Sequence, residues 1–280
     1  MGIIQFAKSV WGEDVPIHIG WNLIWIFLIA GLAFLVGHAI WVKMSKEEEF
    51  AGTTPASVAA RVPEKVKRHS LVARLFHWVQ SITMLTLLFT AFAPKLGFKF
   101  AWVEIHWIAG LVLIGAIIFH IIHASFFMDF WAIWPDKVDI DDAMNRAKIM
   151  QGQAAPKPRR FAKYPFENKM YHLTIVIAGL TMAITGFFMM YKVRNPIFPR
   201  NPYIFGEMTW GMMYVLHGLA GVSLIALIMV HIYMALRPEK REMTMSMLVG
   251  TVSKEHYLHH HDPERWKLDA DESKAPGMGD

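Results

Sequence analysis

Five long apolar stretches, separated by polar and mostly basic segments, dominate the hydropathy pattern of this 280-residue chain. They span roughly residues 19–42, 72–93, 104–128, 170–191 and 211–236. A helix needs about 20 predominantly apolar residues to cross a bilayer, and each stretch has about that length. The pattern therefore predicts an all-α integral membrane protein with five transmembrane helices.

The first stretch does not resemble a cleaved signal peptide, because it is long and only Lys8 precedes it as a basic residue. It begins at Trp21 and ends at Trp41, and we interpret it as a retained span. His38 near its end is interpreted as a polar residue at the membrane edge. The predicted segments are an N-terminal extension with an extra span (1–45), a cytoplasmic linker (46–71), a four-helix bundle (72–237) and a cytoplasmic tail (238–280).

Lysine and arginine are distributed unevenly between these spans. They cluster between the first and second, between the third and fourth, and after the fifth, whereas the other connections hold few. Basic loops stay on the cytoplasmic side of a membrane. The chain is therefore expected to lie in a bacterial inner membrane with its N-terminus in the periplasm and its C-terminus in the cytoplasm. This pattern explains the net charge of +5, so no nucleic-acid partner is expected.

The composition narrows the chemistry further. Only 18% of the residues are charged and 54% are hydrophobic, whereas an ordinary soluble domain is about one quarter charged. Cysteine is absent, which excludes disulfides, covalently attached haem c and thiolate-bound iron–sulfur clusters within this chain. The chain has 14 histidines and 11 tryptophans. Tryptophan favours membrane interfaces and histidine binds metals, including haem iron.

Two histidines of the fifth span lie on one face of the predicted helix. His217 and His231 are fourteen residues apart, which returns them to nearly the same face about 21 Å apart. Ionisable residues inside spans are costly and are usually functional. One histidine is thus expected near each membrane surface, where two stacked haems b could each bind. Gly218 and Gly221 leave a patch without side chains that a flat macrocycle could approach.

Each such haem needs a second axial histidine from another helix. His106, at the start of the third span, is expected at the level of His217. At the level of His231, His77 at the start of the second span is one candidate. His120 is another, because it lies fourteen residues after His106. Spacing alone leaves both open, and the alternative is that these histidines form hydrogen bonds between helices or lie among lipid headgroups.

The chain resembles the cytochrome b (gamma) subunit of respiratory, membrane-bound formate dehydrogenase over about residues 68–267. The order and spacing of several short motifs carry the resemblance. They are Arg74-Leu75-Phe76-His77-Trp78, His106 followed by Gly110, Pro135-Asp136-Lys137-Val138-Asp139-Ile140, Lys163-Tyr164, His217-Gly218-Leu219-Ala220-Gly221, His231-Ile232-Tyr233-Met234-Ala235, Gly250-Thr251-Val252-Ser253, His256, His259, His260 and Trp266.

The resemblance implies ligands, partners and a direction of electron flow. It implies that His106 and His217 hold the outer haem and that His77 and His231 hold the inner one, which favours His77 over His120. His120 and His123 then become candidates for contacts with the haem propionates or for hydrogen bonds at an interface. A molybdenum or tungsten subunit would oxidise formate outside, and an iron–sulfur subunit would pass the electrons inward to menaquinone or ubiquinone. The chain would be an electron-transfer subunit, not the site of substrate oxidation.

The sequence departs from that family in two places. The first span is additional to the family's usual four. The quinone segment of the family usually has asparagine after tyrosine, whereas this chain has proline after Tyr164. We therefore place the quinone site near His231, Asn168 and His172. The run of histidines at 259–261 is interpreted as a solvated tail or a partner interface.

Three other functions are compatible with these residues. The chain could serve a hydrogenase, a thiosulfate reductase or another molybdenum oxidoreductase, because nothing in it contacts formate. It could be a stand-alone transmembrane reductase. A non-redox anchor or transporter would use the histidines as proton relays or packing groups.

Overall fold

The computed structural model describes residues 2–44 and 50–268. The predicted boundary at 45/46 and the tail beyond 268 lie outside the described residues. In chain order, the helices are α1 (Asn22–Met44), α2 (Ala56–Ala59), α3 (Leu71–Phe92), α4 (Trp102–Phe127), α5 (Lys137–Met150), α6 (Phe166–Met189), α7 (Glu207–Leu236), α8 (Arg241–Val249) and α9 (Lys254–His260). The strands are β1 (Ile4–Lys8), β2 (Asp14–Ile19), β3 (Lys65–Lys67) and β4 (Thr251–Ser253).

The prediction of five membrane-spanning helices is confirmed. Within the described residues, α1, α3, α4, α6 and α7 are long and apolar enough to cross a bilayer. Short 3₁₀ turns at Ala93–Leu96 and Met190–Lys192 prolong α3 and α6. The sixth and seventh helices each begin four residues before the predicted span. The start of α6 was missed because it contains Lys169, whose charge lowers the local hydropathy although its side chain is buried.

The chain divides into two compact units. The first comprises the residues up to Lys43, Phe76–Ile122 and Thr174–Tyr233. Its main apolar core takes two buried residues from each of α3, α4, α6 and α7. They are Met84, Leu87, Ala109, Leu113, Ala178, Met182, Ala220 and Leu224. Equal contributions from four helices are what a four-helix bundle requires, because each helix turns one apolar stripe to a shared centre.

The additional N-terminal span packs on α7 within this first unit. A Cβ added at Gly31 of α1 would lie 3.2 Å from the side chain of Met229 and 3.5 Å from Cα of Ala226. His38 Nδ1 lies 3.1 Å from the hydroxyl of Tyr233, near the end of the same helix. The extension is therefore part of the bundle, and His38 serves as an interhelical hydrogen-bonding group.

The antiparallel hairpin of β1 and β2 also lies directly against α7. A Cβ at Gly211 would overlap the carbonyl oxygen of Pro16, and one at Gly218 would lie 3.1 Å from Ile19. Gly211 needs glycine because the strand backbone approaches the helix too closely for a side chain, whereas a side chain at Gly218 would require Ile19 to shift. Gly218 was predicted to leave room for a macrocycle, but Ile19 fills that space, so this prediction is wrong for Gly218.

The second unit comprises Met44–Leu75, His123–Leu173 and the residues from Met234 onward. Its β3 and β4 pair antiparallel, with Val66 opposite Val252. Both valines pack with Val62, Tyr257 and Trp266 in a buried cluster. The segment 251–268 is therefore folded against residues that precede α3, and the interpretation of the histidine run as a solvated tail is wrong for His261, which is 1% exposed.

Buried charges hold α5 and α6 together in this unit. Asp136 and Asp139 form a reciprocal capping box at the start of α5. The Asp139 carboxylate accepts hydrogen bonds from Lys169 Nζ at 2.6 Å and from the Arg265 guanidinium at 2.7 Å. Lys169 also donates to the carbonyl oxygen of Trp134 at 3.1 Å. Burial opposes ionisation, but these donors hold the pKa of Asp139 below its usual value, so its charge is retained.

Candidate functional site

The first unit brings four of the predicted histidines together in two pairs. The rings of His106 on α4 and His217 on α7 have centroids 6.2 Å apart, with planes at 64°. We call them the α4–α7 pair. The rings of His77 on α3 and His231 on α7 also have centroids 6.2 Å apart, at 45°. We call them the α3–α7 pair. Between the pairs in the sequence of α7 lie the buried core residues Ala220 and Leu224.

The spacing of the rings distinguishes a metal-binding pair from a hydrogen-bonded one. Two imidazoles joined directly by an N–H···N bond of about 3 Å have ring centres about 5 Å apart. Two imidazoles bound to opposite sides of one metal, at about 2 Å each, have centres about 6 Å apart. The observed 6.2 Å in both pairs matches the second arrangement. The residues therefore fit axial ligation of haem iron.

Threonine hydroxyls orient both rings of the α4–α7 pair. Thr90 Oγ1 lies 2.8 Å from His106 Nδ1, and Thr185 Oγ1 lies 2.8 Å from His217 Nδ1. Each hydroxyl also lies within hydrogen-bonding distance of the carbonyl oxygen four residues earlier, that of Thr86 or Thr181. Both threonines are buried. Neither threonine was predicted from the sequence, although each lies in a span four residues after another threonine.

Gly186 makes room for one of these rings. A Cβ at this position would lie 3.2 Å from His217 Cε1, which is closer than most packed side chains tolerate. Gly186 directly follows Thr185, so adjacent residues of α6 supply a hydrogen bond to His217 and the space for its ring. Gly186 was not predicted as a site residue, because glycine is common in membrane spans.

The α3–α7 pair has a different environment. His77 Nδ1 is buried and, among the described residues, has no hydrogen-bond partner. The nearby Ser81 hydroxyl donates to the backbone carbonyl of His77 at 2.7 Å, not to its ring. The ring of Trp78 lies edge-on to the His77 ring at 5.2 Å.

The structure also shows where the other candidate histidines lie. His120 stacks flat on Phe76, with ring centroids 4.3 Å apart and planes at 8°. His123 stacks on Phe127 at 5.7 Å in the second unit. His77, not His120, therefore faces His231 at the distance that suits a shared metal. The ligand assignment itself stays a prediction.

The residues of the predicted quinone site lie at the start of α6. Asn168 is exposed in the first turn, and His172 follows one turn later, half-buried. Tyr164, just before the helix, lies with its ring beneath the guanidinium of Arg68 at 5.7 Å. Burial raises the pKa of the Tyr164 phenol, so this residue stays protonated and can donate a hydrogen bond.

Arg68 and His261 form a buried polar cluster in the same unit. His261 Nδ1 lies 2.7 Å from the carbonyl oxygen of Ala162 and therefore carries the proton that it donates there. Its Nε2, 3.3 Å from Arg68 Nη1, then accepts from the guanidinium. Burial and the Arg68 charge lower the pKa of His261 to about 2, so it is neutral at pH 7. Burial also lowers the pKa of Arg68.

A known protein family matches most of the chain, including the bundle helices that carry the two histidine pairs. Residues 68–250, about two thirds of the chain, match the family model described as prokaryotic cytochrome b561. The matched region includes all four histidines of the two pairs, together with Thr90 and Thr185. The hairpin and α1 lie outside it. No curated protein matches the chain.

Proposed function

The chain belongs to the prokaryotic cytochrome b561 family and is a membrane cytochrome b; from this premise we propose that it is the diheme subunit of a quinone-linked respiratory oxidoreductase. The observation that carries the proposal is the occurrence of two histidine pairs, each with ring centroids 6.2 Å apart, in one apolar bundle. His106 with His217, and His77 with His231, would be the axial ligands of two haems b.

The protein's own residues would hold these groups and keep water away from them. When bound, haem b supplies a one-electron Fe(III)/Fe(II) couple. The apolar core residues of α3, α4, α6 and α7 give the bundle that carries both pairs a low-dielectric interior. Fourteen residues of helix separate His217 from His231, which corresponds to about 21 Å. The two sites can therefore relay electrons across most of a bilayer.

The charge pattern of the loops supports a direction for this relay. With the N-terminus in the periplasm, the α4–α7 pair faces the periplasm and the α3–α7 pair faces the cytoplasm. Electrons would then enter from a periplasmic iron–sulfur subunit and leave to menaquinone or ubiquinone at the cytoplasmic side. The resemblance to the formate dehydrogenase subunit favours a molybdenum or tungsten catalytic partner that oxidises formate.

A quinone site in the second unit belongs to this proposal. Asn168 is exposed at the start of α6, His172 lies one turn further, and Tyr164 is a protonated donor just before the helix. These groups have the donors that quinone carbonyl oxygens need. Replacing Asn168 with alanine is expected to raise the quinone KM with little change in haem content. Quinone kinetics identical to the wild type would exclude Asn168 from the site.

Purification from native membranes tests the partner assignment. In mild detergent the chain should co-purify with an iron–sulfur protein and a molybdenum or tungsten subunit, identified by mass spectrometry, and formate should reduce its haem b. Reduction of the haem by hydrogen, or oxidation of the reduced haem by thiosulfate, with the corresponding catalytic subunit, would assign it to one of those enzymes instead. A lone chain that is reduced by ascorbate or quinol would indicate a stand-alone reductase, and a colourless one would indicate an anchor or transporter.

A further inference from the structure

The two rings of the α4–α7 pair differ from the His77 ring of the α3–α7 pair in whether Nδ1 has a hydrogen-bond partner, and this difference implies different redox potentials for the two haems. Both rings of the α4–α7 pair contact a threonine hydroxyl through Nδ1 at 2.8 Å. In the α3–α7 pair, His77 Nδ1 is buried without a partner in the part of the chain that the structure describes. The inference rests on the proposed function, because it concerns the haems that these histidines would hold.

The direction of the threonine hydrogen bonds follows from counting protons. A hydroxyl has one proton to donate and can accept two. Thr90 Oγ1 lies 2.8 Å from the Thr86 carbonyl oxygen, and Thr185 Oγ1 lies 2.5 Å from that of Thr181. A carbonyl oxygen cannot donate, so each hydroxyl proton goes to the helix backbone. The proton between threonine and histidine therefore belongs to the imidazole, and Nδ1–H donates to Oγ1.

This arrangement fixes the tautomer that haem ligation requires. With the proton on Nδ1, Nε2 of His106 and of His217 carries a free lone pair. An acceptor on the outer N–H of a ligating histidine makes the ring a stronger base toward its metal. A more basic ligand favours the more highly charged Fe(III) state, and hydrogen bonding around axial ligands is one means by which a protein sets a haem potential.

We propose that Thr90 and Thr185 are positioning residues whose hydroxyls lower the potential of the haem held by His106 and His217 below that of the haem held by His77 and His231. Electrons that arrive at the α4–α7 pair would then move spontaneously to the α3–α7 pair. The hydrogen bonds of two threonines would thus give the relay its direction.

Potentiometric titration of the purified, haem-loaded protein tests this proposal. The wild type should show two one-electron components, and the lower one should be the component missing in His106→Ala. Thr90→Val and Thr185→Val keep the side-chain volume but lose the acceptor. Each should raise the lower potential by about 40 mV, which is a fivefold change in equilibrium because tenfold corresponds to about 59 mV for one electron. Thr90→Ser and Thr185→Ser should restore the wild-type value.

Two neighbouring threonines provide matched controls. Thr86 and Thr181 occur one turn earlier on the same helices, and their hydroxyls donate to the carbonyl oxygens of Ile82 and Ile177. Thr86→Val and Thr181→Val should leave both potentials unchanged. The proposal is overturned if the valine variants at 90 and 185 do not move the lower potential, if they move the higher one, or if the controls shift equally. Absence of haem b from the wild type would refute the proposed function itself. This outcome is distinct from the potential measurements that would overturn only the role of the threonines.

Discussion

Different kinds of interaction stabilise the two compact units of this protein. The first has an apolar core to which four helices contribute equally, and two buried threonines in it contact histidines. The second contains buried charges, with Asp139 bound by Lys169 and Arg265, and Arg68 bound to a neutral His261. Changes in the first unit should therefore alter cofactor binding, whereas changes in the second should alter stability and its dependence on pH.

The largest effect is expected from removing a ligand in the first unit. His217→Ala deletes one of the two histidines of the α4–α7 pair, so this site should lose its haem completely. The haem b content measured by pyridine haemochrome should fall from two per chain to one. His38→Ala is the control, because His38 is also a span histidine of this unit but bonds to Tyr233. Equal haem loss in both variants would mean that the unit had merely unfolded.

The second-largest effect is expected from Lys169→Met in the second unit. Both Lys169 and Asp139 are almost fully buried, and breaking a buried pair by removing one partner typically costs about 3 kcal/mol or more. Arg265 remains beside Asp139, so we expect about 3 kcal/mol less unfolding free energy in detergent, with two haems still bound to the folded fraction.

Glu167→Gln provides the control for that variant. It removes an ion pair with Arg146 in which the glutamate side chain is 60% exposed. Exposed pairs contribute about 1 kcal/mol or less. If the two variants destabilise the protein equally, buried charge is not what stabilises the second unit.

A smaller effect is expected from lowering the pH on the second unit. The pKa of His261 is about 2 in the folded protein and about 6.5 when unfolded, so the folded state binds fewer protons. Its contribution to stability is complete above about pH 6.5 and declines as the pH falls toward 2. Between pH 6.5 and 5 the loss should be about 2 kcal/mol.

Hydrogen exchange of residues 251–268, corrected for intrinsic exchange rates, measures this pH-dependent loss of stability in the segment that contains His261. His260, with its pKa lowered to about 4, and His256, with its pKa also lowered by burial, add to the slope in the same direction. His261→Gln therefore serves as the comparison, since it should remove the pH dependence that His261 contributes and leave the pH dependence that His256 and His260 contribute. A slope that is unchanged in this variant would contradict the assignment.

The smallest effect is expected from Gly186→Ala in the first unit. The new methyl group would lie 3.2 Å from His217 Cε1, so the ring must move by a few tenths of an ångström. We expect faster haem loss on warming from the α4–α7 site alone, followed by absorbance. Gly115→Ala, at an exposed position with open space around its Cβ, should behave like the wild type.

The contrast between the units also explains what the sequence could predict. The five spans follow from long apolar runs. The closeness of His106 to His217 was expected from their positions in the spans, whereas the choice of His77 over His120 as the neighbour of His231 depended on the family resemblance. Thr90 and Thr185 are polar residues within predicted spans, but no histidine lies near either of them in the sequence. They were missed because threonine hydroxyls satisfy themselves on their own helix so often that a span threonine carries little signal.

The second unit could not be predicted in the same way. Its ion pairs join Asp139 to Lys169 and Arg265 across thirty and more than a hundred residues, and no local periodicity reports such contacts. The β-hairpin at the N-terminus was not predicted from the sequence, for a related reason. Its close approach to Gly211 and Gly218 depends on two elements meeting, which is information that neither segment contains alone.

Haem quantitation and a reduced-minus-oxidised spectrum of the purified protein, with His77→Ala and His120→Ala beside the wild type, show whether two haems b are bound and which histidines hold them. We expect two haems b in the wild type, one in His77→Ala and two in His120→Ala, because His77 faces His231 at 6.2 Å while His120 stacks on Phe76. One haem in His120→Ala and two in His77→Ala would keep the electron relay but contradict the pairing. A folded wild-type protein without haem would contradict the relay itself.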